Sequence, residues 1–248
     1  MKTLYTITII LALISFTPQA KPEVKNINST HNLIKTMKAK YDGKWFKNFI
    51  FKQRTNNFDK NGEPTKPVIW YESVSYPNSF RIDRDISKGN YVIYRNDSVY
   101  SFKQDSLINK GIEPQEHLLF KGGLYFMDTE KVLEKLKKFG YNLDIIKKST
   151  LNNEPVYIVG DSSKQFWVHA KYFFTMRRIS TLKDGRKLDF IYYDFKKLSG
   201  GWVEQQVTIF LDNKKYQDEF YEEIKLVDYF DTKIYDPSKN YKWYNFHF

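Results

Sequence analysis

The sequence contains no cysteine. That absence excludes disulfide bonds and thiolate metal ligands, and it also excludes a lipid anchor on an amino-terminal cysteine. The stability of the fold must then come from the packing of side chains. The aromatic content of 18% supplies large apolar surfaces for such packing.

Residues that carry catalytic or metal chemistry are scarce. No two histidines stand at metal-ligand spacing, and the sequence has no nucleophile elbow, phosphate-binding loop or dinucleotide fingerprint. Asp83 and Asp85 form one pair of nearby carboxylates, which is typical of the polar face of a charged strand. We expect no enzymatic activity, no metal and no cofactor. The four histidines are His31, His117, His169 and His247.

Only one long apolar run is present, the thirteen residues from Leu4 to Phe16. A helix that spans a bilayer needs about 20 apolar residues. Lys2 precedes the run and Ala20 supplies a small residue after it, which is the pattern of a secretory signal peptide. We predict that residues 1–20 are removed and that residues 21–248 form a single domain in the periplasm.

The formal net charge is +11 at pH 7, which favours acidic partners. Export argues against nucleic acid, so we expect transient contact with an anionic membrane surface or with membrane proteins. A dispersed, solvating positive surface is the alternative, because the runs of like charge are short. We expect the protein to be a monomer.

Short apolar-rich segments separated by turn residues dominate the sequence. Residues 68–104 contain four of them, a pattern of consecutive strands joined by hairpins. Helical spacing of apolar residues predicts helices over residues 29–41, 114–120 and 129–139. The fold class is therefore mainly β (α+β), a barrel or a strongly curved antiparallel sheet. The other predicted strands are 44–57, 143–149, 155–159, 165–169, 173–182, 187–198, 202–211 and 215–227.

Large apolar side chains accumulate on one face of these strands. Alternation places Trp70 and Val74 on one face with Glu72, and it places Phe80 and Ile82 on one face of the next segment. Such a face forms an ordinary core or lines a cavity beneath the helices. The residues predicted to line such a cavity are Phe49, Phe51, Trp70, Val74, Tyr76, Phe80, Ile82, Ile93, Phe102, Leu119 and Phe120.

The order of elements resembles that of the periplasmic outer-membrane lipoprotein carriers, the LolA-like proteins. Residues 76–81, Tyr-Pro-Asn-Ser-Phe-Arg, are similar to the family's Arg-Pro-Asn/Gly-x-Phe-Arg segment. The other similar segments are the helix 33–41 leading into 49–53, the hairpin 91–102, residues 165–168 with 177–179, and residues 235–237.

The resemblance implies an unclosed β-barrel of about 11–12 strands capped by helices. It also implies a cavity that binds the acyl chains of lipoproteins, or of other lipids, in transit toward the outer membrane. Family members place an arginine that fastens the lid just before the proline, and here that position is Tyr76. A tyrosine hydroxyl can donate one hydrogen bond to a lid carbonyl.

Two other functions remain open. A non-transporting envelope sensor or assembly protein on the same fold would have a tightly packed interior. An outer-membrane barrel is suggested by the alternation of Tyr244, Phe246 and Phe248, as in a last strand. Charged side chains on strands without a continuous apolar face, as near Lys52, argue against that barrel.

Overall fold

The computed structural model describes residues 27–246, so the predicted signal peptide and Phe248 lie outside the described part. Strands and hairpins make up most of this part, and three α-helices and three short 3₁₀ helices complete it. The helices are α1 (Thr30–Tyr41), α2 (Glu116–Lys121) and α3 (Thr129–Lys138), with 3₁₀ helices Gly123–Phe126, Thr232–Tyr235 and Trp243–Phe246. The strands are β1 (Asn48–Asn57), β2 (Val68–Ser75), β3 (Ser79–Asp85), β4 (Asn90–Arg95), β5 (Ser98–Lys103), β6 (Ser106–Ile112), β7 (Ile146–Leu151), β8 (Glu154–Gly160), β9 (Lys164–His169), β10 (Thr175–Thr181), β11 (Lys187–Leu198), β12 (Gly201–Leu211) and β13 (Lys214–Leu226).

All 13 strands belong to one sheet in the order β6-β5-β4-β3-β2-β1-β13-β12-β11-β10-β9-β8-β7. Every pair of adjacent strands in the sheet is antiparallel. Each of these pairs joins two strands that are consecutive in the chain, except the pair β1–β13. The edge strands β6 and β7 do not pair with each other, so the curved sheet is an unclosed barrel. The predicted fold class is confirmed.

Tight turns with left-handed residues set the hairpin register. Asn96 and Asp97 have φ of 50° and 61°, and Asn152 and Asn153 have φ of 51° and 65°. Two consecutive left-handed residues produce the primed turn that matches the twist of paired strands, and asparagine and aspartate tolerate this conformation best. These turns lie where the sequence predicts them.

The sheet contains one edge strand, β6, that the sequence pattern does not predict. Gln104 and Asp105, with φ of 51° and 60°, form a further tight turn that leads into β6. Most of β6 is exposed, including Ile112, so its residues show no buried face. The sheet therefore has slightly more strands than the predicted number of about 11–12, because the sequence pattern does not predict this edge strand.

The helices lie against one face of the sheet, which we call the inner face. Ser29 caps α1 by accepting a hydrogen bond from the Asn32 amide at 3.2 Å. The predicted apolar stripe of α1 and the one of α3 are both buried in the main hydrophobic cluster. No helix in the described residues has the length and apolarity to cross a membrane.

The carboxyl-terminal segment, residues 227–246, covers part of the opposite, outer face. Ile234 and Trp243 are fully buried there against Tyr91 and Ile93. Trp243–Phe246 form a 3₁₀ helix rather than a last strand. Both faces of β3 and β4 are consequently buried.

Candidate functional site

The candidate site is the inner face of the sheet together with the segment that covers it. Residues 116–138, comprising α2, the 3₁₀ helix Gly123–Phe126 and α3, connect the two edge regions of the sheet, and we call them the lid. Lid side chains Leu118, Leu119 and Phe120 belong to one apolar cluster with the inner-face side chains. The lid therefore closes the open barrel from inside.

Most of the predicted cavity residues belong to one cluster between the lid and the inner face. Phe49, Phe51, Val74, Tyr76, Phe80, Ile82, Leu119 and Phe120 are buried in the inner cluster, and Trp70 packs against it half-buried. Phe51 is 0% and Leu119 is 2% exposed, so the closed lid leaves these side chains almost no accessible surface.

Two predicted cavity residues lie on the other side of the sheet. Ile93 and Phe102 are buried in the outer cluster, where the carboxyl-terminal segment covers them. The prediction that these two residues line the cavity on the inner face is wrong. The physical reason is that β4 is buried on both faces, so apolar character alone does not identify the inner one.

Tyr76 lies under the lid, but it acts through its ring. The ring stacks on Phe126 of the lid at 5.7 Å between centroids and lies 5.9 Å from Phe49. Among the described residues its hydroxyl has no hydrogen-bond partner, so the expected bond to a lid carbonyl is not present. A side chain at Gly122 would place its Cβ 2.7 Å from the Tyr76 ring, so only glycine allows this close approach.

Polar contacts elsewhere hold the lid to the sheet. The Tyr125 hydroxyl donates to the Phe173 carbonyl at 2.7 Å, and Lys135 pairs with Asp97 at 2.9 Å. The Glu116 carboxylate is paired with Arg178 at 3.0 Å and with Lys164 at 3.1 Å. Several polar contacts therefore hold the lid, and none of these involves Tyr76.

The most buried of these contacts is made by Lys121, at the end of α2. Its ammonium group lies 2.5 Å from a carboxylate oxygen of Glu204, and the two side chains are 3% and 6% exposed. The same group contacts the hydroxyl of Tyr221 and lies 4.0 Å from the centroid of that ring. It also lies 5.3 Å from the Phe51 ring centroid. A lid lysine thus inserts a charge into the barrel interior.

Two more carboxyl groups lie near this lysine. Glu219 accepts hydrogen bonds from the Gln217 amide at 2.6 Å and from the Tyr221 hydroxyl at 3.3 Å. Burial raises the pKa of Glu219, and burial together with the charge of Glu219 raises the pKa of Glu72 well above its usual value. Lys121 opposes both pKa shifts.

The alternation of the sequence predicts the face on which Glu72 lies, but it does not predict that Glu72 lies near Lys121, Glu204 and Glu219 in the interior. A charged residue on the apolar side of an alternating strand was the available signal for Glu72. For Glu204 and Lys121 the sequence contains no such signal, because these two residues pair with each other and are far apart in the chain.

A second buried ion pair anchors the outer face. The Arg81 guanidinium contacts both oxygens of Asp83 at 2.9 and 2.8 Å, and it donates to the Ile234 carbonyl at 3.1 Å. Trp243 donates its indole N–H to Asp83 at 2.7 Å. This arrangement fixes the carboxyl-terminal segment rather than the lid.

Three surface clefts are lined by none of the predicted cavity residues. One of about 490 Å³ is formed by the hairpin tips at residues 58–62 and 211–216. Two others, of about 310 and 400 Å³, lie beside the lid near Asp97 and Lys135. Within residues 27–246 no group of three histidine or carboxylate side chains is arranged to hold a metal ion.

Comparison with known proteins supports the fold. No family model and no curated protein matches the sequence. A LolA superfamily protein from Nitrosomonas europaea is similar in structure, with a TM-score of 0.56 and 13% identity over 84% of this chain and 97% of that one. A DUF1329 family protein from Desulfovibrio piger has a TM-score of 0.56 and 10% identity over 84% of this chain and 96% of its own. The chain therefore has a LolA-like fold.

Proposed function

We propose that the protein is a periplasmic carrier that holds the acyl chains of a lipoprotein or of another lipid between the inner face and the lid, for transfer toward the outer membrane. The observation that carries the proposal is an aromatic inner face covered by a helical segment. The net charge of +11 suits transient contact with an anionic membrane surface or a membrane protein. We further propose that the carrier acts as a monomer.

Loading requires movement of the lid, because the inner aromatic side chains are buried in the closed form. An acyl chain gains about 0.8 kcal/mol for each buried methylene group, so a long chain supplies on the order of 10 kcal/mol. Each lid hydrogen bond contributes about 0.5–1.5 kcal/mol net, and separation of the buried Lys121–Glu204 pair costs about 3–5 kcal/mol. A lipid that replaces the apolar contacts of the lid can therefore displace it.

The absence of cysteine permits a direct test by a reversible crosslink. Asp97→Cys and Lys135→Cys, joined by a short bismaleimide with a reducible disulfide, would tie the lid to the β4–β5 turn. Their side chains pair at 2.9 Å and are 48% and 29% exposed, so the linker can reach both. We expect the tied protein to lose binding of a fluorescent fatty acid and to regain it after reduction.

The matched control is Glu134→Cys with Lys138→Cys, which places the same linker within α3 alone. These two residues pair at 2.7 Å on the exposed side of the helix. The control should bind the fatty acid before and after reduction. Equal binding by the tied protein and the control would refute a carrier that loads beneath the lid. Mass spectrometry of lipid that co-purifies with the exported protein would identify the cargo.

A non-transporting envelope sensor or assembly protein is the second candidate function. The almost complete burial of Phe51 and Leu119, together with the interior Lys121–Glu204 pair, favours it. Under that function, neither the control nor the reduced protein should bind fatty acid, and no lipid should co-purify.

A further inference from the structure

The centre of the inner face carries an excess of buried carboxyl groups. Glu72 on β2, Glu219 on β13 and Glu204 on β12 are 3%, 8% and 4% exposed. Strands β2, β1, β13 and β12 are neighbours in the sheet, so these carboxyl groups share one region of it. Lys121 is the buried cation that the closed lid brings to this region.

The environment of the Lys121 ammonium group is that of an ammonium-binding site. It has a carboxylate oxygen of Glu204 at 2.5 Å and the centroids of the Tyr221 and Phe51 rings at 4.0 and 5.3 Å. A carboxylate combined with the faces of aromatic rings is a common way for proteins to recognise ammonium ligands. The lid thus places one of its own ammonium groups where a ligand's can lie.

Glu72 is a separate indication that the closed form leaves an acceptor unused. Its carboxyl group faces the interior with Trp70 and Val74, and among residues 27–246 it has neither a hydrogen bond nor an ion pair. Arg84, the other cation that acts on it, is exposed and lies over the Trp70 ring at 5.3 Å. The Glu72 side chain is 3% exposed, and a cationic ligand beside it would add an ion pair that the closed form lacks.

Opening of the lid withdraws Lys121 with α2 and leaves the carboxyl groups and two aromatic rings behind. We propose, on the basis of the carrier function above, that the lipid held beneath the lid bears a cationic ammonium head group, which takes the place of Lys121. A fatty acid can still bind through its acyl chain, but more weakly than an amine of the same length, because its carboxylate would meet like charges.

The test compares three ligands of equal chain length by isothermal titration calorimetry at pH 7.5. They are decylamine and decanoic acid, each below its micelle concentration, and decanol below its solubility limit. We expect the amine to bind about tenfold more tightly than the acid, with the alcohol between them. Glu72→Gln should weaken amine binding about fivefold and leave alcohol binding unchanged, because the variant keeps the shape of the side chain but cannot become charged beside an ammonium group.

Glu222→Gln is the matched control, since this carboxylate pairs with Arg54 at 3.1 Å and is 40% exposed. It should leave all three affinities unchanged. If Glu72→Gln does not fold as the wild type by circular dichroism, Glu219→Gln provides the same comparison. Equal binding of amine, alcohol and acid would overturn the head-group inference and leave the carrier function standing. Binding of none of the three would instead refute the carrier function on which the inference rests.

Discussion

Replacement of Lys121 by methionine should destabilise the closed form of the protein. Methionine keeps most of the side-chain length and removes the ammonium group, so Glu204 remains in the interior without its counterion. The two side chains are 3% and 6% exposed, and so water cannot replace the lost partner. Removal of one member of such a buried pair costs about 3–5 kcal/mol.

The double variant Lys121→Met/Glu204→Gln separates the charge effect from packing. Because neither position then carries a charge, we expect the cost to fall to within about 1 kcal/mol of the wild type. Lys138→Met is the matched control, because its pair with Glu134 is exposed at 71% and 63%. The control should leave the midpoint of unfolding unchanged.

Urea denaturation followed by tryptophan fluorescence measures these free energies, and the absence of cysteine keeps the transition free of disulfide exchange. Hydrogen exchange of residues 116–138 should show whether the loss is local to the lid. A single variant as stable as the wild type would contradict the buried ion pair. A double variant as unstable as the single one would show that packing, rather than charge, carries the effect.

Three further predictions concern other positions. Arg81→Met should cost about 3–5 kcal/mol and make residues 227–246 sensitive to limited proteolysis, because its buried pair with Asp83 holds that segment; intact resistance would refute this. Tyr76→Phe should change the free energy of unfolding by less than about 0.5 kcal/mol, whereas Tyr76→Ala should cost about 3–5 kcal/mol, because the ring and not the hydroxyl makes the contacts; equal effects would contradict it. Burial raises the pKa of Glu72 in the folded state above its usual 4.5. The stability of the wild type should therefore fall relative to that of Glu72→Gln as the pH rises from 4.5, by at most about 1.4 kcal/mol per pH unit. A constant difference in urea midpoints between about pH 4 and pH 8 would exclude the raised pKa.

The sequence predicts most of the sheet because its hairpins are local. Turn residues such as Asn152 and Asn153 state where a strand ends, and β-branched and aromatic residues state where the next one lies. The edge strand β6 escapes prediction because it is exposed, so its residues carry no alternation of polar and apolar side chains. The signal for a strand weakens where burial does not select the side chains.

The candidate site is less predictable than the fold. Alternation shows that Phe80 and Ile82 share a face, and the structure places both inside. Alternation cannot show which side of β4 the lid covers. The prediction for Ile93 is therefore wrong, because this residue lies on the outer face. The Lys121–Glu204 pair joins side chains on α2 and β12, which are far apart in the chain, so no local pattern predicts it.

The β1–β13 junction has a consequence for how the chain assembles. On either side of it, strands β1–β6 and strands β7–β13 are two meanders in which every pair joins neighbours in sequence, and such local contacts form quickly. The junction instead joins Phe49 to Leu226, near opposite ends of the described chain, and it should form last. The segment 113–145 is the covalent connection between the two meanders and keeps their local concentration high. Cleavage within it would turn an intramolecular step into the association of two fragments, and the stability of the barrel would then depend on protein concentration.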